Sequence, residues 1–226
     1  MITVDQTTLS QKADVLSPLG ADGTQGPVIR DAAPCFTTGT MIITQGGEKA
    51  VEDIAIGDLV LTADSGFQPV RWIGRRLVTA TDLALYPQLR PVIIRKGTFG
   101  NQRDLRVSPQ HGMMDRQAGQ ETLIRAKNVA EVRGPDTATR DVDCDQVTYY
   151  HLMFDQHELI FAEGALTEAF FPGPSAVGSL DCDARDELLL LFPELNDVWT
   201  CAKPARDVFG IAARSYHIPE SERLAA

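Results

Sequence analysis

One cysteine and three histidines are the residues of this chain best suited to catalysis. Cys35 begins a strand-like run, residues 35–44, and the residues before it are typical of a polar leader. Three of the four histidines, His111, His151 and His157, fall in the same region of the sequence. An imidazole titrates near neutral pH and can both accept and donate a proton, so a cysteine and a histidine suffice to activate a thiol. A thiol at the start of a folded region, with a peptide bond immediately upstream, indicates chemistry on the chain's own backbone.

The surroundings of His111 add a hydroxyl group. Ser108 stands three residues before His111, and Pro109 between them bends the strand. In such a bend the hydroxyl and the imidazole can converge on one point. The spacing fits a structural role equally well, in which Ser108 opens a turn and His111 ends a strand.

Short apolar runs broken by turn residues dominate the sequence from residue 35 to residue 172. These runs are rich in β-branched and aromatic residues, and they lie at residues 41–43, 59–61, 70–73, 92–94, 105–107 and 159–161. Closely spaced short strands predict a mainly β body rather than alternating strands and helices. Residues 51–54 are the best candidate for a helical turn, and residues 126–130 echo them about 75 residues later, as an internal duplication would produce.

The sequence divides into three parts. Residues 1–34 carry Ser, Gly and Pro among scattered charges, which predicts a flexible N-terminal leader without its own core. Residues 35–172 form the β domain, and residues 173–226 form a short C-terminal helical extension. In the extension we predict one helix over residues 183–192, which ends before Pro193, and another over residues 204–216. The four leucines 188–191 are expected to pack against the β body.

The formal net charge of −10 excludes several classes of partner. A chain without a basic face cannot neutralise phosphates, so we expect neither nucleic acid nor an anionic membrane surface as a partner. No apolar run reaches the roughly 20 residues that span a bilayer. The first 34 residues contain no secretory signal, and we therefore expect a cytoplasmic protein.

The other cysteines show no spacing typical of a metal site. Cys144, Cys182 and Cys201 belong to no CxxC motif, and we interpret them as reduced, buried or incidental thiols. Three aspartates flank Cys144, at positions 141, 143 and 145. This acidic run lacks the glycine and distal glutamate of a helix–loop–helix calcium site, which favours a solvated loop. The sequence thus predicts neither a metal ion nor a cofactor.

Three blocks of this sequence resemble the Hint family, the domain shared by inteins and Hedgehog autoprocessing regions. Residues 35–40 (Cys-Phe-Thr-Thr-Gly-Thr) and residues 51–62 look like its first block. Residues 108–111 (Ser-Pro-Gln-His) look like the second, which has a hydroxyl residue, two variable positions and a histidine. Residues 150–164 resemble the block near the end of the domain. The blocks follow the family's order across residues 35–170.

The resemblance implies a pseudo-symmetric β horseshoe that processes its own N-terminal segment. The implied chemistry is an N-to-S acyl shift, in which the Cys35 thiol attacks the carbonyl carbon of Pro34 and forms a thioester. His111 would protonate the departing nitrogen of Cys35, a role worth ~10²–10⁴ in rate. Ser108 would hold the scissile bond or its developing oxyanion, where one donor is worth ~10²–10³.

The sequence departs from the family pattern where splicing would need it. Splicing inteins end in a histidine, a cyclising asparagine and a nucleophile, whereas the aligned positions here are Glu168, Ala169 and Phe170. The resemblance therefore implies cleavage without splicing. The thioester would pass to water or to a small thiol or amine, and residues 1–34 would be released or transferred.

Two further substitutions affect the implied site. Ser108 replaces the usual threonine, which keeps the hydroxyl but loses the methyl group that fixes its rotamer. His151 stands where the last block commonly has aspartate, so a different group tunes the Cys35 thiol. His157 is either a replacement for that group as the base or a core residue, and we assign supporting roles to both histidines.

Two other functions remain open from the sequence. One is a Hint-fold binding or structural module in which cleavage is slow or absent. The other is a thiol hydrolase acting on other molecules, with Cys35 as nucleophile and His111 or His157 as base. No cysteine-protease signature surrounds Cys35. Self-cleavage would be a single turnover, whereas repeated turnover of an added ester would identify the hydrolase.

Overall fold

The computed structural model describes residues 33–117 and 119–224 of the chain. The predicted leader, residues 1–34, lies outside the described residues except for Ala33 and Pro34. Within the described ranges the chain is mainly β, with two antiparallel sheets and several short helices, which confirms the predicted fold class.

Fourteen strands are present in the described part of the chain. They are β1 (Phe36–Thr37), β2 (Met41–Thr44), β3 (Gly47–Ala50), β4 (Leu59–Thr62), β5 (Gly66–Pro69), β6 (Trp72–Val78), β7 (Val92–Ile94), β8 (Leu105–Val107), β9 (Gly112–Gln117), β10 (Gln120–Arg125), β11 (Ala138–Arg140), β12 (Val147–Met153), β13 (Leu159–Ala162) and β14 (Ala165–Glu168).

The helices are short. They are α1 (Ala80–Leu85), α2 (Val129–Arg133), α3 (Pro174–Ser179), α4 (Cys182–Leu191), α5 (Leu195–Trp199), α6 (Ala205–Val208) and α7 (Glu220–Leu224). Three 3₁₀ turns lie at Val51–Asp53, Pro87–Leu89 and Ala126–Asn128. Both helical turns expected from the sequence are therefore present, and the second continues into α2.

Strand β1 lies in the interior of the six-stranded sheet, whose order is β11-β7-β8-β1-β12-β6. The larger sheet runs β10-β9-β14-β13-β2-β4-β5, with β3 paired to β2. Apolar side chains from both sheets form one buried cluster that includes Phe36, Val107 and Leu152 from the first sheet and Ile42 and Val60 from the second. Each such buried side chain stabilises the fold by about 1.5–3 kcal/mol.

The two halves of the β body repeat one backbone pattern. One turn is closed by a hydrogen bond from Thr40 N–H to Thr37 O (3.2 Å), and another by one from His111 N–H to Ser108 O (3.0 Å). Each turn leads into a hairpin, β2–β3 or β9–β10, and each hairpin ends in a 3₁₀ turn. The internal duplication suggested by the sequence is thus visible in the backbone, and His111 occupies the position equivalent to Thr40.

The extension differs in part from its predicted structure. The first predicted helix is α4, and the Asp181 side chain caps it by accepting a hydrogen bond from Ala184 N–H. The second prediction, a helix over residues 204–216, is wrong beyond α6. Gly210 follows closely with a φ of +90°, a left-handed conformation that ends helices. Residues 211–218, which we name the C-terminal strap, continue without a helix and lie along β10, with a parallel bridge between Leu123 and Tyr216.

Two smaller expectations also need correction. Of the four successive leucines, Leu188 is fully buried, but Leu190 is 81% exposed, because adjacent residues of a helix face different directions. The loop around Cys144 is not entirely solvated, because Asp141 is buried and pairs with Arg106. Cys144 is buried, as the interpretation of these thiols allowed, and the described helices include none long and apolar enough to cross a membrane.

Candidate active site

Strand pairing brings three of the predicted site residues together. In β1, Phe36 pairs with Val107 of β8 on one side and with Tyr150 of β12 on the other, both antiparallel. Cys35 precedes Phe36, so the antiparallel register places Ser108 and His151 on either side of it. Residues far apart in sequence therefore flank the peptide bond between Pro34 and Cys35.

The Ser108 hydroxyl contacts the nitrogen side of that peptide bond. The N–H of Cys35 donates to Ser108 Oγ at 3.0 Å, and the Ser108 hydroxyl donates to Ala33 O at 2.7 Å. In return, Ser108 N–H donates to Cys35 O at 3.0 Å. Ser108 is fully buried, so bulk water does not compete for these hydrogen bonds. They fix the orientation of the backbone on both sides of Pro34.

The His151 imidazole contacts the oxygen side of the same bond. Its Nδ1 lies 2.9 Å from Pro34 O, and both ring nitrogens lie 3.6 Å from Cys35 Sγ. A carbonyl oxygen can only accept a hydrogen bond, so Nδ1 of the neutral ring carries the proton. Nε2 is then left as a proton acceptor beside the thiol.

Aromatic side chains surround His151 and keep it neutral. The Trp72 ring stacks near it at 6.1 Å between centroids, and the Phe170 ring meets it edge-on at 5.0 Å. Burial lowers the pKa of His151 to about 4, although its hydrogen bond to Pro34 acts in the opposite direction. Trp72 lies across Gly74, where a Cβ would collide with three atoms of the ring. The absence of a side chain at Gly74 therefore makes room for the ring that supports His151.

The Cys35 thiol is held in a protonated state. It is 3% exposed and donates to Ala33 O at 2.9 Å. Burial raises the pKa of Cys35, while the Ser108 hydrogen bond and the positive charge of Arg76 act to lower it. A thiolate would be costly here, so attack by sulfur requires a base that removes the proton as the new bond forms.

A small cavity adjoins the thiol. Its volume is about 10 Å³, room for about one water molecule. Its lining includes Cys35, His151, Arg76, Tyr149 and Ser179. The Arg76 guanidinium on β6 donates to Ser179 O at 3.1 Å, at the end of α3. The extension therefore fixes the position of Arg76, the one cation that lines this cavity among the described residues.

His111 packs against β1 at the residue that follows Cys35. Its ring meets Phe36 edge-on, with centroids 4.6 Å apart, and it is fully buried. Neither ring nitrogen has a hydrogen-bond partner within the described ranges. Burial lowers the pKa of His111 to about 4, with the Glu168 carboxylate raising it and His151 lowering it. His111, the predicted general acid, therefore contacts Phe36, the residue after Cys35. The nitrogen of the scissile bond is hydrogen-bonded to Ser108.

His157 is placed apart from the thiol. It lies in the loop between β12 and β13, where its Nδ1 accepts a hydrogen bond from Ala213 N–H at 3.1 Å. Its Nε2 lies 3.6 Å from Glu168 Oε2, and its ring packs against Phe171 at 4.9 Å. Of the two histidines that were assigned supporting roles, the structure puts His151 beside Cys35.

Sequence reasoning missed two contributors to the site and underrated a third. Arg76 has no motif around it, and only the pairing of β6 with β12 brings it to the cavity. Tyr216, whose hydroxyl donates to the Glu168 carboxylate, belongs to the extension, beyond every motif block. Glu168 was noted only as a departure from the splicing pattern, yet it is fully buried at the end of β14. A charged residue next to an apolar pair, Ala169 and Phe170, was the available signal.

No group of three or more potential metal ligands is clustered among the residues that the structure describes. The polar side chains beside Cys35 are instead arranged around a backbone peptide bond.

Comparison with known proteins gives one family. The Hint domain family matches residues 34–174, which is more than half of the chain. No curated protein sequence matches the chain. The structure is similar to a splice-inactive variant of the AceL NrdHF class 3 split intein, at 18% identity and a TM-score of 0.43, over 60% of this chain and 97% of that one.

Two other solved structures are similar at lower identity. A bacterial intein-like domain from Clostridium thermocellum is 15% identical with a TM-score of 0.43, over 60% of this chain and 97% of that chain. A DnaB intein from Synechocystis sp. PCC 6803 is 10% identical with a TM-score of 0.41, over 61% of this chain and 99% of that chain. On the strength of the family match, the chain belongs to the Hint domain family, the family of intein-like autoprocessing domains.

Proposed function

We propose that this Hint domain cleaves its own chain once, at the peptide bond between Pro34 and Cys35, through a thioester on Cys35. The N-terminal segment, residues 1–34, is the substrate, and no splicing follows. The observation that carries the proposal is that both ends of one amide group are held. Ser108 Oγ accepts from its nitrogen, and His151 Nδ1 donates to its oxygen.

The first step is attack by sulfur on the Pro34 carbonyl carbon. As the S–C bond forms, Nε2 of His151 takes the thiol proton, and Nδ1–H stabilises the negative charge that develops on Pro34 O. One neutral imidazole thus acts as base and oxyanion donor together. Its resting contacts with Cys35 Sγ (3.6 Å) and Pro34 O (2.9 Å) support this double role.

The second step breaks the bond between the Pro34 carbonyl carbon and the Cys35 nitrogen. The nitrogen needs a proton to leave, and His111 in its imidazolium form supplies it. His151 has then gained the proton that the thiol lost, and His111 has lost the one that the amine gained. Exchange with water restores both histidines. Ser108 releases the Cys35 nitrogen as it changes from amide to amine.

The third step resolves the thioester. A water molecule attacks the Pro34 carbonyl carbon as Nε2 of His151 takes its proton, the C–S bond breaks, and His151 passes that proton to the sulfur. The products are a segment ending in the Pro34 carboxylate and a domain beginning with the Cys35 amine. The cavity beside Cys35 has room for one water, which favours hydrolysis over transfer to a bulky acceptor.

The positions that would splice in an intein have other contacts here. Phe170 packs against His151, and its N–H donates to Leu152 O at 2.8 Å. Ala169 is buried and has no carboxamide with which to cyclise. These positions support the site rather than react, in line with cleavage without splicing.

Time-resolved intact mass of the purified protein tests the proposal. Samples are incubated with and without dithiothreitol or hydroxylamine, beside Cys35→Ala and the matched control Cys201→Ala, whose thiol is exposed. We expect a fragment beginning at Cys35 that grows with time, faster with nucleophile. It should be absent in Cys35→Ala and unchanged in Cys201→Ala. A single full-length mass in every sample would overturn the proposal.

A second candidate is a Hint-fold binding or structural module with little or no cleavage. The observation that favours it is the closed state of the site: Cys35 is buried, and both His111 and His151 are neutral at pH 7. The same mass experiment separates the two functions. Burial of Cys35 also disfavours a hydrolase acting on other molecules, and repeated turnover of an added ester would be its signature.

A further inference from the structure

A second buried polar cluster lies around Glu168. One carboxylate oxygen, Oε1, accepts a hydrogen bond from Gly112 N–H at 2.5 Å. The other oxygen accepts one from the Tyr216 hydroxyl and lies 3.6 Å from His157 Nε2. Because His157 Nδ1 accepts from Ala213 N–H, a neutral His157 carries its proton on Nε2, facing the carboxylate. A buried carboxylate is stable only with such donors around it.

Gly112 is the link between this cluster and the proposed general acid. It directly follows His111, and a Cβ at this position would lie 2.7 Å from Glu168 Oε1. The glycine therefore permits a close approach of the carboxylate to the backbone that carries His111. The His111 ring itself has no polar partner among the described residues. Burial therefore disfavours its protonated form, and the Glu168 carboxylate acts in the opposite direction.

The C-terminal strap holds this carboxylate in place. Leu123 N–H donates to Ser215 O at 2.9 Å, and His217 N–H donates to Leu123 O at 2.8 Å, which pins Tyr216 against β10. Arg214 pairs with Asp64 and Glu121, which ties the strap to the β body. The family match ends at residue 174, so the strap lies outside it.

We propose that Glu168 is a positioning residue for His111, and that Tyr216 of the strap acts through it. The carboxylate fixes the backbone at Gly112 and supplies the negative charge that stabilises the His111 imidazolium. The titratable groups that interact with His111 or Glu168 include His151, Cys35, His157 and Tyr216, and the Arg125 guanidinium lies over the Tyr216 ring. Glu168 contributes the carboxylate of this cluster. The inference rests on the proposed role of His111 in self-cleavage.

The direct test is an NMR titration of the histidine rings in the full chain carrying Cys35→Ala, which cannot form the thioester. The chain has four histidines, so loss of one signal in His111→Gln assigns the ring. We expect Glu168→Gln to move the His111 midpoint to lower pH. An unchanged midpoint in a folded Glu168→Gln protein would overturn the proposal, whether or not the wild-type protein cleaves itself.

The kinetic test uses the cleavable chain. Glu168→Gln should slow fragment formation at pH 7 by about tenfold, part of the ~10²–10⁴ that a positioned acid supplies. The loss should shrink as pH falls, because acid restores the imidazolium. Cleavage by the wild-type protein with no effect of Glu168→Gln on its rate would contradict this inference alone. No cleavage in any variant would count against the proposed function instead.

Tyr216→Phe provides a second variant if Glu168→Gln does not fold. It should shift the His111 midpoint in the same direction by a smaller amount, and add nothing in the Glu168→Gln background. Glu222→Gln is the matched control, since this carboxylate pairs with Lys127 and Arg125 instead. An additive double variant, or an equal shift in Glu222→Gln, would show that the strap acts by general loosening and would refute the positioning role.

Discussion

The imidazole of His151 donates a hydrogen bond to the carbonyl oxygen of Pro34 at 2.9 Å. An aspartate, common at this position in the family, could only repel that oxygen when ionised. A histidine can donate to it and still accept a proton from the thiol on its other nitrogen. In the proposed mechanism, the substitution gives His151 the role of activating the thiol.

Replacing His151 should slow thioester formation more than replacing His157 or His217. His151→Ala loses both the base and the oxyanion donor, and we expect a loss of ~10²–10³ or more. His151→Gln keeps a donor and should fall between Ala and wild type. Rates come from the fragment yield with dithiothreitol. If His157→Gln were slower than His151→Ala, the base would have to be His157.

The contribution of Ser108 to the cleavage rate should depend on its hydroxyl group rather than on its size. In Ser108→Ala both hydrogen bonds, from Cys35 N–H and to Ala33 O, are lost, and cleavage should slow by about 10²-fold. Ser108→Thr restores the family's usual residue and should cleave at least as fast as wild type, because its methyl group fixes the rotamer. Equal rates for the Ala and Thr variants would rule out this role.

Stability should fall as pH is lowered from about 6.5 to about 4. The pKa of both His111 and His151 is about 4 in the folded chain, whereas the ordinary value is 6.5. Between these limits the unfolded chain binds protons that the folded chain does not, so acid favours unfolding. Above 6.5 the full stability is present, and one such histidine accounts for roughly 3 kcal/mol across the range.

Urea unfolding of the Cys35→Ala protein at a series of pH values measures this dependence. Adding His111→Gln should flatten it, since one of the two buried titrations is removed. Carboxylates contribute to both proteins alike and cancel in the comparison. Identical slopes in the two proteins would mean that burial does not suppress protonation of His111.

Gly74→Ala should damage the site from a distance. A Cβ at Gly74 would collide with the Trp72 ring, which also donates to Glu187 Oε2 at 3.3 Å. We expect a loss of about 1–3 kcal/mol in the free energy of unfolding and slower cleavage, because Trp72 supports His151. The control is Gly46→Ala, where a Cβ would meet only Thr44 at 3.8 Å. Normal cleavage in a destabilised Gly74→Ala protein would show that Trp72 does not contribute to cleavage.

Much of the fold could be predicted from local sequence. Short apolar runs between turn residues predicted strands such as β7 and β8, and the echo of the first helical turn suggested the repeated backbone pattern. The helix over residues 204–216 was predicted wrongly, because proline in the first turn was weighed above Gly210, whose left-handed backbone ends α6. Local propensity does not reveal that a segment will be held by another strand, as Tyr216 is by Leu123.

The sequence by itself determined which residue types are available for chemistry and in what order: a thiol at Cys35, a hydroxyl and imidazole at Ser108 and His111, and alanine instead of asparagine directly after Glu168. Only the tertiary structure decided which groups meet. The antiparallel register of β1 sets Cys35 between Ser108 and His151, and the same burial makes both histidines neutral. Pairing across distant strands depends on the whole sheet, and desolvation depends on every neighbour, so neither can be read from residues close in sequence.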